Sequence, residues 1–317
     1  MAIYDVIIIG GGIAGLAAAA SLKGKVLLIE RAKQPYKNIA CAEWVPRNFP
    51  AKPVQFTNEM LTIYPSGEVT SKFPGKIIDR ESFQTTLLNE LDCSIHLGEN
   101  VKGIENDIVI TNKSKYQANW IIGADGPQSI LSKDLGFTRR NNLIATNFRV
   151  KLKKPTEKTT VIFSPEIEMG YGWCFPKGDL ANIGVGVKRN IKKAIAFIFN
   201  YLRTQGTISE GFISQSAGLI PLDGLLNPIK GNKILVGDAG GFIDPVTGAG
   251  IAYAWDTGKL AASLINGKIS RQEFSNNINV SYLKFLNRRK EKRKIFEEEW
   301  SNINKAVKKS WIAFSRE

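Results

Sequence analysis

The chain has 317 residues, 43% of them hydrophobic, enough for one large core and a smaller second one. Its net charge of +14 leaves room for nucleic acid, an anionic membrane face or an acidic partner. A single histidine, His96, excludes any mechanism or metal site that needs several, and three cysteines without paired spacing point to a reduced, cytosolic setting.

Ile3 to Ile9 is a short β-branched run, as expected of a buried parallel strand. Gly10, Gly12 and Gly15 follow as G-x-G-x-x-G, with Ile13 and Ala14 opening an alanine-rich helix whose body is Leu16 to Leu22. Such a helix turns unpaired N–H groups toward phosphates. Lys25 to Ile29 is the second strand, and Glu30 ends it, twenty positions after Gly10, where a carboxylate meets ribose hydroxyls. An acid there disfavours a 2′-phosphate, so the turn suits FAD or NAD.

A loop with Pro35 and Cys41-Ala42-Glu43-Trp44 comes next. Residues 60–73 are predicted to form a hairpin turning at Pro65-Ser66-Gly67. Asp79 is the expected N-cap of a helix reaching about Leu91. Ser94 to Ile110 is predicted as strands with a turn at Glu105 to Asp107. The buried strand Tyr116 to Ile122 delivers Asp125-Gly126 to a turn, and a helix follows from Gln128 to Leu135. From Leu143 to Val187 strand follows strand: Ile144 to Leu152, Thr159 to Phe163, Tyr171 to Phe175, Ala181 to Val187. This is an inserted antiparallel sheet rather than a βαβ run. After a helix over Ile191 to Leu202, the strand Lys233 to Val236 ends at Gly237-Asp238-Ala239-Gly240-Gly241. Asp244-Pro245 and Thr247-Gly248-Ala249-Gly250-Ile251 then open a helix to Ile265. Residues 284–294 carry seven cations against Glu291, interleaved with aromatics including Tyr282, Phe296 and Trp311; the alternatives are a solvated helix face or one resting on lipid headgroups.

The two glycine-rich segments fit one ligand, FAD: the first its diphosphate, the second its ribityl chain and ring. The fold expected is α/β: a discontinuous Rossmann-like FAD-binding domain over 1–142 and 215–268, an inserted antiparallel substrate sheet over 143–214 with 44–75 as its candidate extension, and a basic helical C-terminus over 269–317.

Gly10 to Gly15 with Glu30, Asp125-Gly126 with Ser129, and Gly237-Asp238 through Ile251 resemble FAD-dependent enzymes of the para-hydroxybenzoate hydroxylase fold. Within that superfamily, Tyr171-Gly172-Trp173-Cys174-Phe175-Pro176-Lys177 resembles the Y-x-W-x-F-P-K signature of the geranylgeranyl reductase family. Cys41-Ala42-Glu43 resembles that family's cysteine motif, and Asp79-Arg80 with Phe83 and Leu87 its arginine-bearing helix. Two positions depart from the patterns: Gly240 replaces a second alanine, and Ser132 stands where the hydroxylases carry arginine.

The resemblance implies reduction of isolated double bonds in a polyprenyl lipid by hydride from reduced flavin. A flavin monooxygenase and a non-catalytic electron-transfer flavoprotein are the alternatives. The cofactor-binding set is Gly10, Gly12, Ile13, Ala14, Gly15, Glu30, Arg31, Cys41, Arg80, Val101, Asp125, Gly126, Gly237, Asp238, Pro245, Gly248, Gly250 and Ile251. Tyr171, Trp173, Phe175 and Pro176 are expected to bind substrate, and Cys41, Tyr171 and Trp173 to serve catalysis; no metal is expected. The expected partners are an isoprenoid lipid, NAD(P)H or ferredoxin as electron donor, and an anionic membrane touched peripherally from the cytoplasm, with no nucleic acid.

Overall fold

The N-terminal apolar run forms the strand Ala2–Ile9, and the first of two units is ordered around it. The computed structural model describes residues 1–37, 39–138 and 141–314. The first unit gathers Met1–Lys37, Gln84–Asn141 and Pro221–Lys290; the second gathers Asn38–Phe83, Asn142–Ile220 and Glu291–Glu317. The segment 269–317, taken in the sequence as a piece of its own, is shared by both, and its last three residues lie outside the described ones.

In the first unit the strands stand in the order Ile229–Lys230, Lys233–Leu235, Lys115–Gly123, Ala2–Ile9, Val26–Glu30, Ser94–Leu97. All neighbours from Lys233–Leu235 onward are parallel. Val101–Glu105 and Ile108–Thr111 form a meander beside Lys115–Gly123. The chain leaves Ala2–Ile9 toward one side and returns on the other, so a topological switch point lies between Ala2–Ile9 and Lys115–Gly123. In such sheets ligands bind at the carboxyl ends beside that point. The first helix, Ile13–Ala19, is shorter than the alanine run suggested. The helix expected from Gln128 is split into a 3-10 turn, Gly126–Gln128, and a helix, Ile130–Asp134. Ser129 makes the break by capping the second piece, its hydroxyl accepting the Ser132 N–H at 3.0 Å.

The second unit holds an eight-stranded sheet in the order Ser214–Pro221, Asn142–Lys151, Leu180–Val187, Tyr171–Lys177, Thr159–Ile162, Pro53–Tyr64, Gly67–Ile78, Trp44–Val45. The hairpin predicted over 60–73 is thus longer at both ends and belongs to the same sheet as the inserted strands. Most pairs run antiparallel, but Thr159–Ile162 lies parallel to Pro53–Tyr64. The two come from distant segments, so no tight turn dictates their direction. One face is covered by the helix Ile191–Thr204, whose Ala194, Ile198, Phe199 and Leu202 pack with Phe148, Cys174, Ile183 and Val185. Burial pushes the Cys174 thiol up to about 12, as expected of a core cysteine.

The other face carries an aromatic cluster. Trp311 lies 5.0 Å from Phe163 and 5.1 Å from Tyr171, and Phe296 lies 5.9 Å from Phe163. The basic stretch is therefore not a wholly solvated helix. Tyr282, Leu286, Arg289, Arg293 and Phe296 are all buried, at helical 4-3-4-3 spacing, while Lys284, Arg288 and Lys290 remain exposed.

Trp311 also donates Nε1–H to Thr62 Oγ1 at 3.1 Å. Trp311→Ala is expected to lower the unfolding free energy by ~3–5 kcal/mol in urea titrations. Trp311→Phe, which keeps a ring and loses the donor, should cost ~1–3 kcal/mol.

Candidate functional site

At the carboxyl end of Ala2–Ile9 the backbone makes contacts that no side chain could share. A Cβ on Gly10, whose φ is +100°, would lie 2.5 Å from the Ala124 carbonyl oxygen, and one on Gly15 would lie 2.0 Å from the Gly10 carbonyl oxygen. Gly12 differs: a Cβ there would have nothing within 4 Å. Gly10 and Gly15 thus serve packing, and Gly12 leaves open space beside the helix start, where a phosphate could be held. The helix beginning at Ile13 has no side-chain cap and no acid in its first turn, so nothing of its own opposes an anion.

Glu30 is fixed by two backbone donors, Gly11 N–H to Oε2 and Ala32 N–H to Oε1, each at 2.8 Å. Each oxygen keeps a lone pair for ribose hydroxyls. Tyr36 closes the turn from behind, its hydroxyl donating to the Gly11 carbonyl at 2.8 Å. Burial, then the Glu30 charge, holds that phenol well above its usual range. Asp125 accepts the Ile130 N–H on Oδ2 at 2.7 Å, while its shielded Oδ1 has no hydrogen-bond partner. Burial raises its carboxyl pKa, and the Arg31 charge is among the influences working against that rise. An unpaired acceptor beside an open glycine cradle is what a polyhydroxylated ligand would complete. Val101 is buried at the start of its strand.

The second glycine-rich segment packs onto the first. A Cβ on Gly237 would sit 3.1 Å from Ala14 Cβ, and one on Gly258 only 2.2 Å from the Ala14 carbonyl oxygen. The helix Ile251–Ile265 therefore lies against Ile13–Ala19 at backbone distance. Gly250 precedes it, and a Cβ there would be 3.3 Å from Asp238 Oδ1. Pro245 is buried, and Gly248 donates its N–H to the Asp244 carbonyl at 2.8 Å. Gly240 is explained by Phe242, whose buried ring would meet a Cβ at 2.6 Å.

The remaining expected residues, Cys41, Arg80, Tyr171, Trp173, Phe175 and Pro176, lie in the second unit. They are organised by Glu43, a member of the cysteine motif for which the sequence reading expected no role of its own. It is 3% exposed and left-handed at φ +62°, a conformation costing about 1–3 kcal/mol for a non-glycine residue. Its Oε2 accepts Lys177 Nζ at 2.7 Å and Asn182 Nδ2 at 2.8 Å, and its Oε1 accepts the Arg80 N–H at 2.9 Å. Arg149 Nη2 stands 3.7 Å away. Lys177 also approaches Asp79 to 3.5 Å. Burial works to raise the Asp79 carboxyl, but the Ser82 N–H and the Lys177 and Arg149 charges outweigh it and hold the pKa low. The Glu43 N–H points at Cys41 Sγ, 3.2 Å away, which fixes the half-buried thiol.

Lys177 ends the aromatic strand, so one carboxylate ties the cysteine motif to the Y-x-W-x-F-P-K motif. Trp173 lies across the next strand, where a Cβ on Gly184 would be 2.2 Å from its ring. Its Nε1 donates to Asn147 Oδ1 at 3.0 Å. Tyr171, Trp173, Phe175 and Pro176 are all buried. Sequence reasoning missed Tyr36, Asn147, Arg149 and Asn182, which no local pattern marks. Lys177 was within a quoted motif, and Arg289 and Arg293 occupy apolar positions of a helical stripe, a signal that could have been read.

Residues 5–48 match the FAD binding domain family. Digeranylgeranylglycerophospholipid reductase of Methanococcus vannielii is 29% identical over 86% of this chain and 79% of its own. The enzyme of that name from Methanocaldococcus jannaschii is also 29% identical, with the same coverage. Among solved structures, a geranylgeranyl bacteriochlorophyll reductase-like protein from Thermoplasma acidophilum superposes with TM-score 0.78 at 22% identity, covering 98% of this chain and 97% of that one. PqsL, a probable FAD-dependent monooxygenase from Pseudomonas aeruginosa, shares the fold at 14% identity and TM-score 0.71, over 97% and 99% of the two chains. These likenesses bear out the resemblance to the geranylgeranyl reductase family and the assignment of FAD as cofactor.

The glycines separate packing from binding. Gly12→Ala should cost ~1 kcal/mol of stability, the scale of a poor N-cap, while weakening FAD binding at least tenfold in flavin-fluorescence titrations. Gly15→Ala should cost ~3 kcal/mol in denaturation, whatever the ligand. Glu43→Gln, which strands the buried Lys177, is expected to lose ~3 kcal/mol. Adding Lys177→Met should recover part of that loss, seen as a coupling energy of ~1 kcal/mol or more in a double-mutant cycle.

Proposed function

We propose that this relative of the geranylgeranyl reductases is an FAD-dependent oxidoreductase that saturates isolated double bonds in the geranylgeranyl-type chains of a lipid. The observation that carries the reading is the run of relatives named digeranylgeranylglycerophospholipid reductase, aligned along most of the chain. That name supplies a reaction and a substrate class together.

When bound and reduced, FAD supplies the hydride and its electron pair. The chain's own residues do the rest. The open space at Gly12 and the start of the helix Ile13–Ala19 take the diphosphate, with Glu30 on the ribose and Asp125 offering its free oxygen. Arg31 would balance phosphate charge, and the backbone at Val101 would border the adenine. Asp238 would accept from a ribityl hydroxyl, Pro245 would pack near the ring, and the Gly248–Ile251 segment, with the N–H groups of Gly250 and Ile251 at the helix start, would meet the ring edge that becomes electron-rich on reduction.

An isolated alkene has no carbonyl to polarise. Hydride reaches one carbon and a proton the other, so positive charge builds on the more substituted carbon. The indole of Trp173, held by Asn147 and laid across Gly184, offers a π face to that charge. Phe175 and Pro176 line the same strand and exclude water. For the proton, Cys41 suits the role better than Tyr171: the thiol is half-buried and fixed by the Glu43 N–H, whereas the phenol ring is enclosed by Phe163 and Trp311.

Electrons enter from NAD(P)H bound transiently or from an acidic protein such as ferredoxin, which the charge of +14 suits. No described helix is long and apolar enough to cross a membrane. Contact with an anionic membrane surface falls to exposed Val280, Leu283 and Phe285 beside Lys284 and Arg288.

Dithionite-reduced protein incubated anaerobically with polyprenyl phospholipids should return lipid heavier by two hydrogens per saturated bond, read by mass spectrometry. Cys41→Ser should slow this by ~100-fold while binding FAD normally. Lipids recovered unchanged, with flavin that reacts only with oxygen, would select the monooxygenase instead. Rapid reoxidation by an electron carrier, with every lipid intact, would select electron transfer.

A further inference from the structure

The basic stretch sends one residue into the first unit that the proposed mechanism does not use. Arg289 is 4% exposed. Its Nε donates to Asp244 Oδ2 at 2.9 Å, and its buried Nη2 has no hydrogen-bond partner. Asp244 opens the turn that precedes the helix Ile251–Ile265. Its Oδ1 accepts the Val246 N–H at 2.9 Å and the Thr247 N–H at 3.4 Å, and its Oδ2 also accepts the Thr247 hydroxyl at 2.9 Å. Its backbone closes the turn: the carbonyl accepts from Gly248 at 2.8 Å and the N–H donates to Ala249 at 2.9 Å.

Turn geometry does not require this charge. A neutral asparagine keeps the two backbone bonds to Oδ1 and can donate to the Thr247 hydroxyl instead of accepting from it, and a buried ion pair gains little stability after desolvation. An unpaired guanidinium N–H adds a further penalty. What the pair does supply is local neutrality. Asp244 alone would place a negative charge within seven residues of the helix-start N–H groups assigned to the electron-rich edge of the flavin. Arg289 cancels it.

We infer that Arg289 is a positioning residue of the flavin site: it holds the Asp244–Gly250 turn and sets the reduction potential of the bound cofactor by neutralising Asp244. This rests on the assignment of that turn to FAD under the proposed function. Removing either partner changes the local charge in opposite senses, so the two variants should move the potential in opposite directions. A purely structural pair would not do this.

The test uses the full chain reconstituted with FAD, with midpoint potentials from dye equilibration and FAD affinity from fluorescence. Arg289→Met should lower the potential and Asp244→Asn should raise it. Each shift should be about tenfold in the reduced-to-oxidised ratio, or ~30 mV for a two-electron couple. Arg288→Met, an exposed neighbour, should change neither readout, and Arg289→Lys should hold the potential within threefold in that ratio. Shifts in the same direction, or no shift in variants that bind FAD, would overturn the inference. If Arg289→Met does not fold, Asp244→Asn decides alone by the sign of its shift; failure of both to fold would make the pair a core element and overturn it too. Wild-type chain that takes up no FAD would remove the underlying assignment, an outcome distinct from wild type that binds it beside variants that do not shift.

Discussion

Backbone meets backbone around Ala14, and the first unit depends on it. Gly15 sits against the Gly10 carbonyl, and Gly258 sits against the carbonyl of Ala14 itself. Helix packing normally holds axes 8–10 Å apart through side chains; here glycines remove that spacer. Two segments more than two hundred residues apart thereby become one surface at the carboxyl edge of a parallel sheet. The constraint is steric, so it tolerates almost no substitution, yet it leaves Gly12 free of contact. Absence of a side chain thus has two meanings within six residues: room for protein at Gly10 and Gly15, and open space at Gly12.

In the second unit the organising element is electrostatic. Glu43 gathers Lys177, Asn182, the Arg80 N–H and, more distantly, Arg149. Buried ion pairs are weak sources of net stability, but they are intolerant of misplacement because a stranded charge is costly. That makes Glu43 a device for register. It fixes the loop bearing Cys41 to the strand bearing Trp173, at the expense of a left-handed backbone. The buried aromatic side chains of the same strand are neutral and make no demand of that kind.

Much of this was legible in the sequence, and the reason differs by element. The parallel strands showed as β-branched runs, and the glycine turn after the first strand showed because its spacing is a local pattern. The Y-x-W-x-F-P-K strand was legible as alternation. The Glu43 network was not, since it joins positions 134 apart by a contact that leaves no periodic trace. The basic stretch misled for a physical reason: arginine can occupy an apolar position when its charge is met inside, as at Arg289 and Arg293, so charge density alone does not give exposure. The helix after Asp125 broke at Ser129 because capping chemistry outweighed continuity.

The parallel pairing of Thr159–Ile162 with Pro53–Tyr64 has a consequence for how the chain comes to be assembled. The Thr159 hydroxyl donates to the Glu59 carbonyl across a separation of 100 residues. During synthesis the early hairpin must therefore persist with an unsatisfied edge while the intervening third of the polypeptide emerges, and closing so long a loop precedes any reward from contact. Exposed edges of this kind invite pairing with other chains. The topology that unites the sheet also makes nascent copies vulnerable to one another until its fifth strand arrives.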